Sequence, residues 1–298
     1  MSGVVAVLRN PTAGRGKHRH GVTAAIASLT SAGHTVKMLD ANSRDEADAV
    51  CRHAVGDGAA ALVVAGGDGT VHIGLQAVAG TGVGFGVIPT GTGNDFARAV
   101  GVPIDPARAG HAAAQALDQG RRRVVDLARM STPDGYRQWF GAVLAAGFDA
   151  LVNERANAMR WPKGRRRYDI ATFVELLGLR ARRYRVTLDG QVLEQAANLV
   201  AVGNAPCYGG GLRMCPDADL TDGLLDVVVG GPISRLTLLR LYPKVFQGTH
   251  VDHPKVTSYR AGTVTIEADG IIGYADGERT RALPLTVTAE PGALRVLV

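Results

Sequence analysis

The sequence predicts an α/β domain with a parallel sheet, followed by an all-β, antiparallel domain. Up to Met130, short apolar runs alternate with helix-like stretches, which is typical of a parallel sheet covered by helices. After Met130 the apolar runs follow one another and are joined by Asp-Gly turns, the pattern of antiparallel strands. Glycine-rich segments also follow three strands of the first domain, at the sheet edge where α/β proteins bind ligands.

Length and composition place the chain among globular proteins with a sizeable core. It has 298 residues, of which 46% are hydrophobic, and this suits one large domain or two ordinary ones. No apolar run reaches the roughly 18 residues of a membrane span, and no signal-like segment follows Met1, so we expect a cytoplasmic protein. The three cysteines are an odd number in a long chain, so we expect reduced thiols rather than a disulfide framework.

Positive charge is concentrated in one segment of the chain. The formal net charge is +6, and ten basic residues lie between Arg155 and Arg185 against only Asp169 and Glu175. Such a block suits an anionic membrane surface, nucleic acid or phosphate groups, and it is also typical of a solvated face.

The elements of the first domain follow from the apolar patterns in order. These patterns predict strands at Val4–Leu8, His34–Leu39, Ala59–Ala65 and Val83–Ile88, and helices at Gly21–Ala32, Arg44–Val55, Val71–Ala79 and Pro106–Gln119. A further strand at Arg121–Met130 carries Asp126. The alternation of strands and helices predicts a parallel sheet with helices on both faces.

The turn from Ala65 to Thr70, AGGDGT, follows the third strand and is the centre of the predicted site. Its glycines allow the backbone to approach a phosphate closely, and the next helix would direct its N-terminal N–H groups at an anion. On its own, the motif is equally compatible with an ordinary strand-to-helix turn.

Two further loops are expected at the same edge of the sheet. The first, NPTAGRGK, is not a Walker A motif, because Pro11 and His18 stand where glycine and Ser or Thr are required. The other, PTGTGNDFAR, opens a helix with Asn94 or Asp95 as its N-cap. Because the carboxyl ends of parallel strands meet at one crevice, the three loops together predict a nucleotide site.

The second domain is predicted from five strand-like runs, at 136–146, 184–203, 224–230, 256–267 and 280–298. Asp-Gly pairs predict tight turns, which begin at Asp189, Asp222, Asp269 and Asp276. One basic, partly helical insertion, Asn153–Arg182, interrupts the pattern. The change in composition places the domain boundary near residue 130.

On these motifs, the chain resembles the diacylglycerol-kinase-type lipid kinases, in particular the soluble bacterial ones. The resemblance covers essentially the whole chain. It rests on five ordered motifs: NPTAGRGK at 10–17, GGDGT at 66–70, PTGTGNDFAR at 89–98, PDADLTDGLLDVVVG at 216–230 and ADGE at 275–278. GGDGT is shared with the NAD kinases and, more loosely, with the phosphofructokinases, whereas the ordered set is specific to the lipid kinases.

The resemblance implies two domains with different ligands. Residues 1–130, with a return of about 291–298, would form an ATP-binding α/β domain with a parallel sheet of the phosphofructokinase and NAD kinase type. Residues 131–290 would form a lipid-binding β-sandwich. The implied reaction transfers the γ-phosphoryl group of ATP to the hydroxyl of a lipid such as diacylglycerol or a sphingoid-type lipid, with Mg²⁺ as the cofactor.

The family positions that match this sequence imply its site residues. Glu278 occupies the position of the general base, and Asp68 is the candidate for holding the catalytic Mg²⁺, directly or through water. Asp95 and Asp126 either extend a carboxylate network or serve in capping and ordinary hydrogen bonds. The nucleotide-binding positions are Asn10, Pro11, Thr12, Ala13, Gly14, Gly66, Gly67, Asp68, Gly69, Thr70 and Thr92.

A second, structural Mg²⁺ site of some bacterial members matches three residues here. Asp222 would supply a carboxylate, and Asp219 and Leu224 would supply backbone carbonyls. A type I′ turn at Asp222 and Gly223 would explain the same residues without a metal.

One position departs from the family pattern. After the second strand the family often has a threonine that touches the nucleotide, and here the corresponding run is DANS, at 40–43. Asn42 or Ser43 is the candidate substitute, so that wall of the adenosine pocket is not assigned.

The expected partners are a lipid substrate and a peripheral, anionic membrane surface, and not nucleic acid. Arg155–Arg185, with the interface-seeking ring of Trp161, is the candidate docking surface. A homodimer is left open.

Two alternative functions remain, an NAD-kinase-like enzyme for a soluble substrate and a catalytically silent nucleotide- or membrane-binding regulator. The Asn-Pro loop, GTGNDFAR and the basic block disfavour the first, and the intact Asp68 and Glu278 disfavour the second.

Overall fold

The chain folds into two compact units. The computed structural model describes residues 3–9, 18–159, 161–162 and 166–298. The first unit comprises Met1–Leu127, Leu220–Asp222 and Glu290–Val298, and the second comprises Ala128–Asp219 and Gly223–Ala289. The first unit is therefore built from three separate stretches of the chain.

The first unit is an α/β layer structure with a parallel sheet. Its strands are β1 (Val4–Arg9), β2 (Thr35–Leu39), β3 (Ala61–Gly66) and β4 (Gly84–Pro89), paired in the order β2-β1-β3-β4. Its helices are α1 (Arg19–Ser31), α2 (Arg44–Gly56), α3 (Asp68–Val78), α4 (Asp95–Ala99) and α5 (Pro106–Asp118). The predicted parallel α/β fold is confirmed.

Burial explains why the central strands read as continuous apolar runs. Every residue of β3 and β4 is buried, as expected for parallel strands covered on both faces. Strand residues such as Val63 and Ile88 pack with Leu29 of α1 and Ala113 of α5 in one core. The register pairs Gly66 with Pro89, so the two strands end side by side and their following loops start together.

The second unit contains all or part of each remaining element. They are β5 (Arg123–Ser131), β6 (Arg137–Phe140), β7 (Val143–Gly147), α6 (Phe148–Ala158), α7 (Arg166–Leu177), β8 (Arg182–Leu188), β9 (Gln191–Ala197), β10 (Leu199–Gly203), β11 (Leu225–Gly230), α8 (Arg235–Gln247), β12 (Val256–Ala261), β13 (Thr263–Glu267), β14 (Ile272–Ala275), β15 (Glu278–Ala282) and β16 (Leu285–Val296). Strands β5 and β16 each begin in one unit and end in the other.

Two antiparallel layers form this second unit. One sheet has the order β12-β11-β10-β7-β14-β15, and β9, β8, β13 and β16 pair in sequence in the other. Side chains from both layers, including Leu144 and Val227 on one and Tyr184 and Val264 on the other, meet in a single buried core. The predicted antiparallel sandwich is confirmed.

The end of the last strand belongs to the first unit. Arg295 and Val296 of β16 pair in parallel with Gly84 and Phe85 of β4. The Gly80 N–H also donates to the carbonyl of Ala293 at 2.8 Å. Residues near the C-terminus of the chain thus complete the sheet that its N-terminal residues begin.

Two of the predicted Asp-Gly turns have the backbone of a type I′ hairpin, which requires positive φ at both central residues. Asp189 and Gly190 have φ of +46° and +90°, and Asp276 and Gly277 have φ of +52° and +80°. At Asp222 the prediction of a type I′ turn is wrong, because only Gly223, with φ of +72°, has a positive φ.

Some elements differ from the sequence prediction. Helix α3 begins at Asp68 rather than Val71, so the carboxylate of the turn lies in the first helical turn. The run 184–203 contains the three strands β8, β9 and β10. Helix α8 was not predicted, because leucines lie on its exposed side as well as on its buried side and Pro243 stands within it.

Candidate active site

The turns that follow β3 and β4 lie against each other. The Thr90 N–H donates to the carbonyl of Gly66 at 2.9 Å. A Cβ added to Gly91 would lie 2.5 Å from the Cα of Gly67, so only glycine permits this approach. The structure therefore brings two of the three predicted nucleotide loops together. The residues of the other loop, Asn10, Pro11, Thr12, Ala13 and Gly14, lie outside the described residues.

Asp68 joins these two turns through its carboxylate. Its Oδ2 accepts the N–H of Asn94 at 2.9 Å, and its Oδ1 accepts the N–H of Phe96 at 3.4 Å. Asn94 is the N-cap of α4 and has φ of +55°. Both bonds join the start of α3 to the start of α4.

The side chain of Asn94 closes its own turn. Its Oδ1 accepts the N–H of Gly91 at 3.0 Å, and its Nδ2 donates to the carbonyl of Gly91 at 2.9 Å. Asn94 is 6% exposed, and Asp95 beside it is also buried. The predicted capping role of this pair therefore falls to Asn94, through its backbone position rather than a side-chain cap.

The residues present fit a phosphate-bearing ligand at this edge. The N-cap of α3 is Gly67, and no side chain among the described residues caps that helix, as suits a helix N-terminus that receives an anion. Thr92 is exposed on the neighbouring turn, and the Thr90 hydroxyl is buried without a hydrogen-bond partner among the described residues. Glycine backbone, a helix N-terminus and hydroxyl groups together form the usual cradle for phosphates.

Asp126 binds backbone from two distant parts of the chain. Its Oδ1 accepts the N–H of Gly292 at 2.7 Å, and its own N–H donates to the carbonyl of Leu220 at 2.7 Å. Asp126 is 5% exposed. These bonds connect Asp126 to the segments 220–222 and 290–298 of the same unit. Asp126 thus serves in ordinary hydrogen bonds, one of the two roles expected for it.

Asn42 and Ser43, the candidate nucleotide contacts, lie at the N-terminus of α2 and hydrogen-bond to it. The Ser43 hydroxyl accepts the N–H of Glu46 at 3.1 Å, and the Glu46 carboxylate accepts the N–H of Asn42 at 2.8 Å. Because Glu46 binds the N–H of Asn42, one residue before the N-cap Ser43, the arrangement is a variant of the capping box. Sequence could have revealed it, because Ser and Glu stand three residues apart at the start of a predicted helix.

Glu278 follows the hairpin turn between β14 and β15. The Asp276 carboxylate in that turn accepts the N–H of Gly141 at 2.9 Å and the N–H of Ala142 at 2.8 Å. The Asp276 N–H donates to the carbonyl of Val143 at 3.1 Å. The turn that carries Glu278 is thus anchored to the connection between β6 and β7.

A second anchor of this hairpin was missed in the sequence. The hydroxyl of Tyr274 donates to Oε2 of Glu154 at 2.7 Å, and Nε of Arg279 donates to the same oxygen at 2.9 Å. These donors lower the pKa of Glu154, and burial together with the bond to Glu154 raises the pKa of Tyr274 to about 12. The contact connects α6 to the strands on both sides of the turn.

Asp149, at the start of α6, is a second unpredicted carboxyl group. The hydroxyl of Tyr208 donates to its Oδ2 at 2.7 Å, and the N–H of Ala150 donates to its Oδ1 at 3.0 Å. Burial raises the pKa of Asp149 in spite of these bonds. The available sequence signal was its place directly after an apolar strand.

A cavity of about 430 Å³ lies within the second unit. Its lining includes the apolar side chains of Phe148, Leu151 and Leu179 and the cationic side chains of Arg155 and Arg180. The volume lies within the range of small-molecule sites, and the lining combines apolar and cationic groups.

The predicted structural Mg²⁺ site at Asp219, Asp222 and Leu224 stays a prediction. Among the described residues there is no cluster of three or more His, Cys, Asp or Glu suited to a metal ion. That finding does not address this site, because two of its three ligands would be backbone carbonyls. Nearby, burial and the charges of Asp217 and Asp219 raise the pKa of Asp226 to about 6.

Two further expectations concern the whole chain. None of the three cysteines forms a disulfide. Within the described ranges, no helix is both long and apolar enough to cross a membrane.

Two family models match the chain. Residues 4–130 match the diacylglycerol kinase catalytic domain, and residues 142–298 match the YegS C-terminal NAD kinase beta sandwich-like domain. The first match ends, and the second begins, near the boundary between the two units. Together they account for most of the chain.

Individual proteins match over nearly their full length. A diacylglycerol kinase of Mycobacterium tuberculosis is 44% identical over 296 residues, which cover 99% of this chain and 95% of the relative. A diacylglycerol kinase of Staphylococcus aureus is 27% identical over 282 residues, which cover 93% of this chain and 87% of the relative. The crystal structure of a diacylglycerol kinase from Bacillus anthracis superposes with a TM-score of 0.72 at 22% identity, covering 98% and 96% of the two chains. At this identity, the structural comparison shows a shared fold alone.

Proposed function

Because the chain belongs to the diacylglycerol kinase family, with its kinase catalytic domain followed by a YegS-type sandwich domain, we propose that it is an ATP-dependent lipid kinase. It transfers the γ-phosphoryl group of ATP to the hydroxyl of a lipid such as diacylglycerol or a sphingoid-type lipid. The names of the relatives support a kinase, and the lipid acceptor is our inference from them.

One observation carries the nucleotide part of the proposal. Asp68 accepts backbone N–H groups of Asn94 and Phe96, and Gly67 and Gly91 approach so closely that neither tolerates a Cβ without displacement of the other. This arrangement joins the two glycine turns into one surface, on which Thr92 is exposed. Such a surface binds phosphates without a Walker lysine.

The roles of the individual groups follow from phosphoryl-transfer chemistry. Gly66, Gly67, Gly69, Thr70 and Thr92 position the phosphates. Mg²⁺ would neutralise the charge that develops on the transferred group, and the carboxylate of Asp68 would hold it directly or through water.

Glu278 accepts the proton of the lipid hydroxyl in this proposal. The hairpin turn that precedes it is fixed at its tip by Asp276 and at its strands by Glu154. A general base needs such a fixed position, because proton transfer requires hydrogen-bond distance to the acceptor hydroxyl.

The first test is phosphorylation of a total lipid extract with labelled ATP and Mg²⁺, followed by mass identification of the product. We expect a phosphorylated lipid from the wild type. Glu278→Gln should lower kcat by on the order of 10²–10⁴-fold, the usual contribution of a general base. The matched control is Glu267→Gln, on an exposed glutamate of the same unit.

Two outcomes would favour a different function. Labelling of NAD but not of lipid would favour a kinase for a soluble substrate. Binding of ATP without transfer to either acceptor would favour a silent regulator. Full transfer by both Asp68→Ala and Glu278→Gln would leave a kinase but overturn the residue roles.

A peripheral membrane contact is the second part of the proposal, since the lipid substrate lies in a bilayer. The candidate surface is Arg155–Arg185, of which Arg160, Lys163, Gly164 and Arg165 lie outside the described residues. Helix α7 within it exposes Ile170, Phe173, Val174 and Leu177 at the spacing of one helix face, and Trp161 is 81% exposed. Apolar side chains beside arginines are typical of interfacial helices.

Sedimentation with phosphatidylglycerol vesicles tests this contact. The double variant Arg166→Ser/Arg180→Ser removes two exposed arginines of the surface and should weaken binding by on the order of 30-fold, at about 1 kcal/mol for each. The control Arg108→Ser/Arg121→Ser makes the same charge change in the first unit. Equal binding by the two double variants would contradict the assignment.

A further inference from the structure

Helix α8 presents an apolar face to solvent. Leu236, Leu239, Tyr242 and Phe246 are all exposed, with Leu236 at 67% and Leu239 at 55%. At about 100° per residue they fall within an arc of about 120° on one side of the helix. Leu241 lies on the opposite side of the helix and is buried. The helix therefore packs on the unit with one apolar face and exposes a second.

All the charged side chains of α8 are cationic. Arg235, Arg240 and Lys244 are exposed on the same helix, which contains no aspartate or glutamate. None of the three makes an ion pair with a carboxylate in the described parts of the chain. An apolar stripe flanked by unneutralised cations is the composition of helices that lie in the interface of an anionic bilayer.

The helix is also firmly held at both ends. The Ser234 hydroxyl accepts the N–H of Thr237 at 3.1 Å at its start. Gly248, with φ of +77°, ends it in the left-handed conformation typical of helix C-termini. The exposed leucines therefore lie on a formed helix and not on a frayed segment.

We propose that α8 is a second membrane-docking element, which inserts Leu236, Leu239, Tyr242 and Phe246 among the acyl chains of an anionic bilayer. Arg235, Arg240 and Lys244 then contact the lipid phosphates. This inference rests on the proposed function, because a lipid kinase must reach a substrate held in a bilayer. It adds a docking element outside the basic insertion.

Charge distinguishes a bilayer from a second copy of the chain as the occupant. A two-fold symmetric dimer through α8 would bring the same face of each copy together. Arg235, Arg240 and Lys244 would then meet their own counterparts with no acidic residue on the helix to offset them. An anionic lipid surface supplies the missing negative charge.

The first experiment measures partition to phosphatidylglycerol-containing vesicles. Leu236→Ser/Leu239→Ser should weaken binding by on the order of tenfold or more. Met38→Ser/Val192→Ser is the matched control, because both side chains are exposed on strands elsewhere, and it should bind as the wild type does. Equal binding by the two double variants would overturn the proposal.

A second experiment reports on the helix itself and does not depend on loss of binding. A polarity-sensitive fluorophore is attached at Leu239→Cys in a Cys207→Ser background, since Cys51 and Cys215 are buried. Addition of the vesicles should shift its emission to the blue, while the same label at Val192→Cys should not respond. An unchanged spectrum at position 239 in vesicle-bound protein would overturn insertion.

Activity separates this inference from the proposed kinase function. On a water-soluble, short-chain diacylglycerol, Leu236→Ser/Leu239→Ser should keep the turnover of the wild type, and on vesicles it should lose turnover in proportion to binding. A chain that docks but phosphorylates no lipid would refute the kinase and leave docking standing. A dimer in light scattering that Leu239→Glu dissociates would assign the face to a second copy and refute docking.

Discussion

Three aspartates of this chain use their carboxylates in the same way. Asp68, Asp189 and Asp276 each accept two backbone N–H groups from another part of their unit, at distances between 2.8 and 3.4 Å. An ionised carboxylate is an acceptor only, and its bonds to N–H groups are stronger than those of a neutral acceptor. Each aspartate therefore fixes a turn to a neighbouring segment, and two of these turns carry predicted site residues.

Gly91→Ala tests whether the approach of the two turns matters for nucleotide binding. The new Cβ would lie 2.5 Å from the Cα of Gly67, and backbone cannot move aside as a flexible side chain can. We expect a loss of stability of about 1–3 kcal/mol. We also expect kcat/KM for ATP to fall by on the order of 100-fold, since the phosphate turns are displaced.

Gly56→Ala is the control for this prediction. Gly56 ends α2 with nothing within 4 Å of an added Cβ, so alanine should leave both stability and activity close to those of the wild type. ATP kinetics of Gly91→Ala equal to those of Gly56→Ala would show that the close approach is not needed for catalysis.

At the scale of elements, the hairpin β14–β15 is positioned by contacts far from it in sequence. Asp276 binds Gly141 and Ala142, and Tyr274 and Arg279 bind Glu154 of α6. These contacts hold the tip and both strands. Glu278 is therefore placed by α6 and by the β6–β7 connection as well as by its own turn.

Glu154→Gln should change how stability depends on pH. The bond from Tyr274 and the charge of Arg279 hold the pKa of Glu154 below its ordinary value of 4.5. A carboxylate with a lowered pKa stabilises the fold above that ordinary value, and the contribution is lost as the pH falls through the lowered one. Below pH 4.5, urea unfolding should therefore show stability falling more steeply for the wild type than for Glu154→Gln.

Glu194→Gln serves as the comparison for this pH effect. Glu194 is 70% exposed, and its nearest contact with Arg185 is 3.8 Å, so its ion pair should contribute little. Its unfolding curves should follow those of the wild type at each pH. Parallel stability profiles for the wild type and Glu154→Gln would mean that the contact with α6 does not stabilise the unit.

Elements with a simple pattern were predictable from the sequence, and long-range contacts were not. The buried strands β3 and β4 appear as continuous apolar runs, and the turns at Asp189 and Asp276 follow from Asp-Gly. Helix α8 was missed because its outer face is apolar. Neither the bond of Glu154 to Tyr274, 120 residues apart, nor that of Asp126 to Gly292, 166 residues apart, leaves a local pattern.

On the scale of the whole molecule, the first unit depends on the return of the chain. Residues 290–298 contribute Arg295 and Val296 to the sheet beside β4, and Gly292 donates to Asp126. The sheet that carries the two glycine turns is therefore completed by residues about 200 positions beyond them.

Asp126→Ala should loosen this returning segment. It removes the acceptor of the Gly292 N–H and should cost about 1 kcal/mol of stability, at the low end for such a bond because Gly292 is exposed to water. Hydrogen exchange of the Gly292 amide should accelerate. Asp126→Asn, which keeps an acceptor oxygen, should show a smaller change in both measurements, and identical exchange rates in all three proteins would refute the role of Asp126.

The returning strand also imposes an order on biosynthesis. A ribosome that has made β1 to β4 has produced both glycine turns, but the strand segment that pairs with β4 is still to be translated. The first unit reaches its final form only after the sandwich sequence has been synthesised. A nascent or prematurely terminated chain thus has both glycine turns but lacks the strand segment that completes the sheet beside β4.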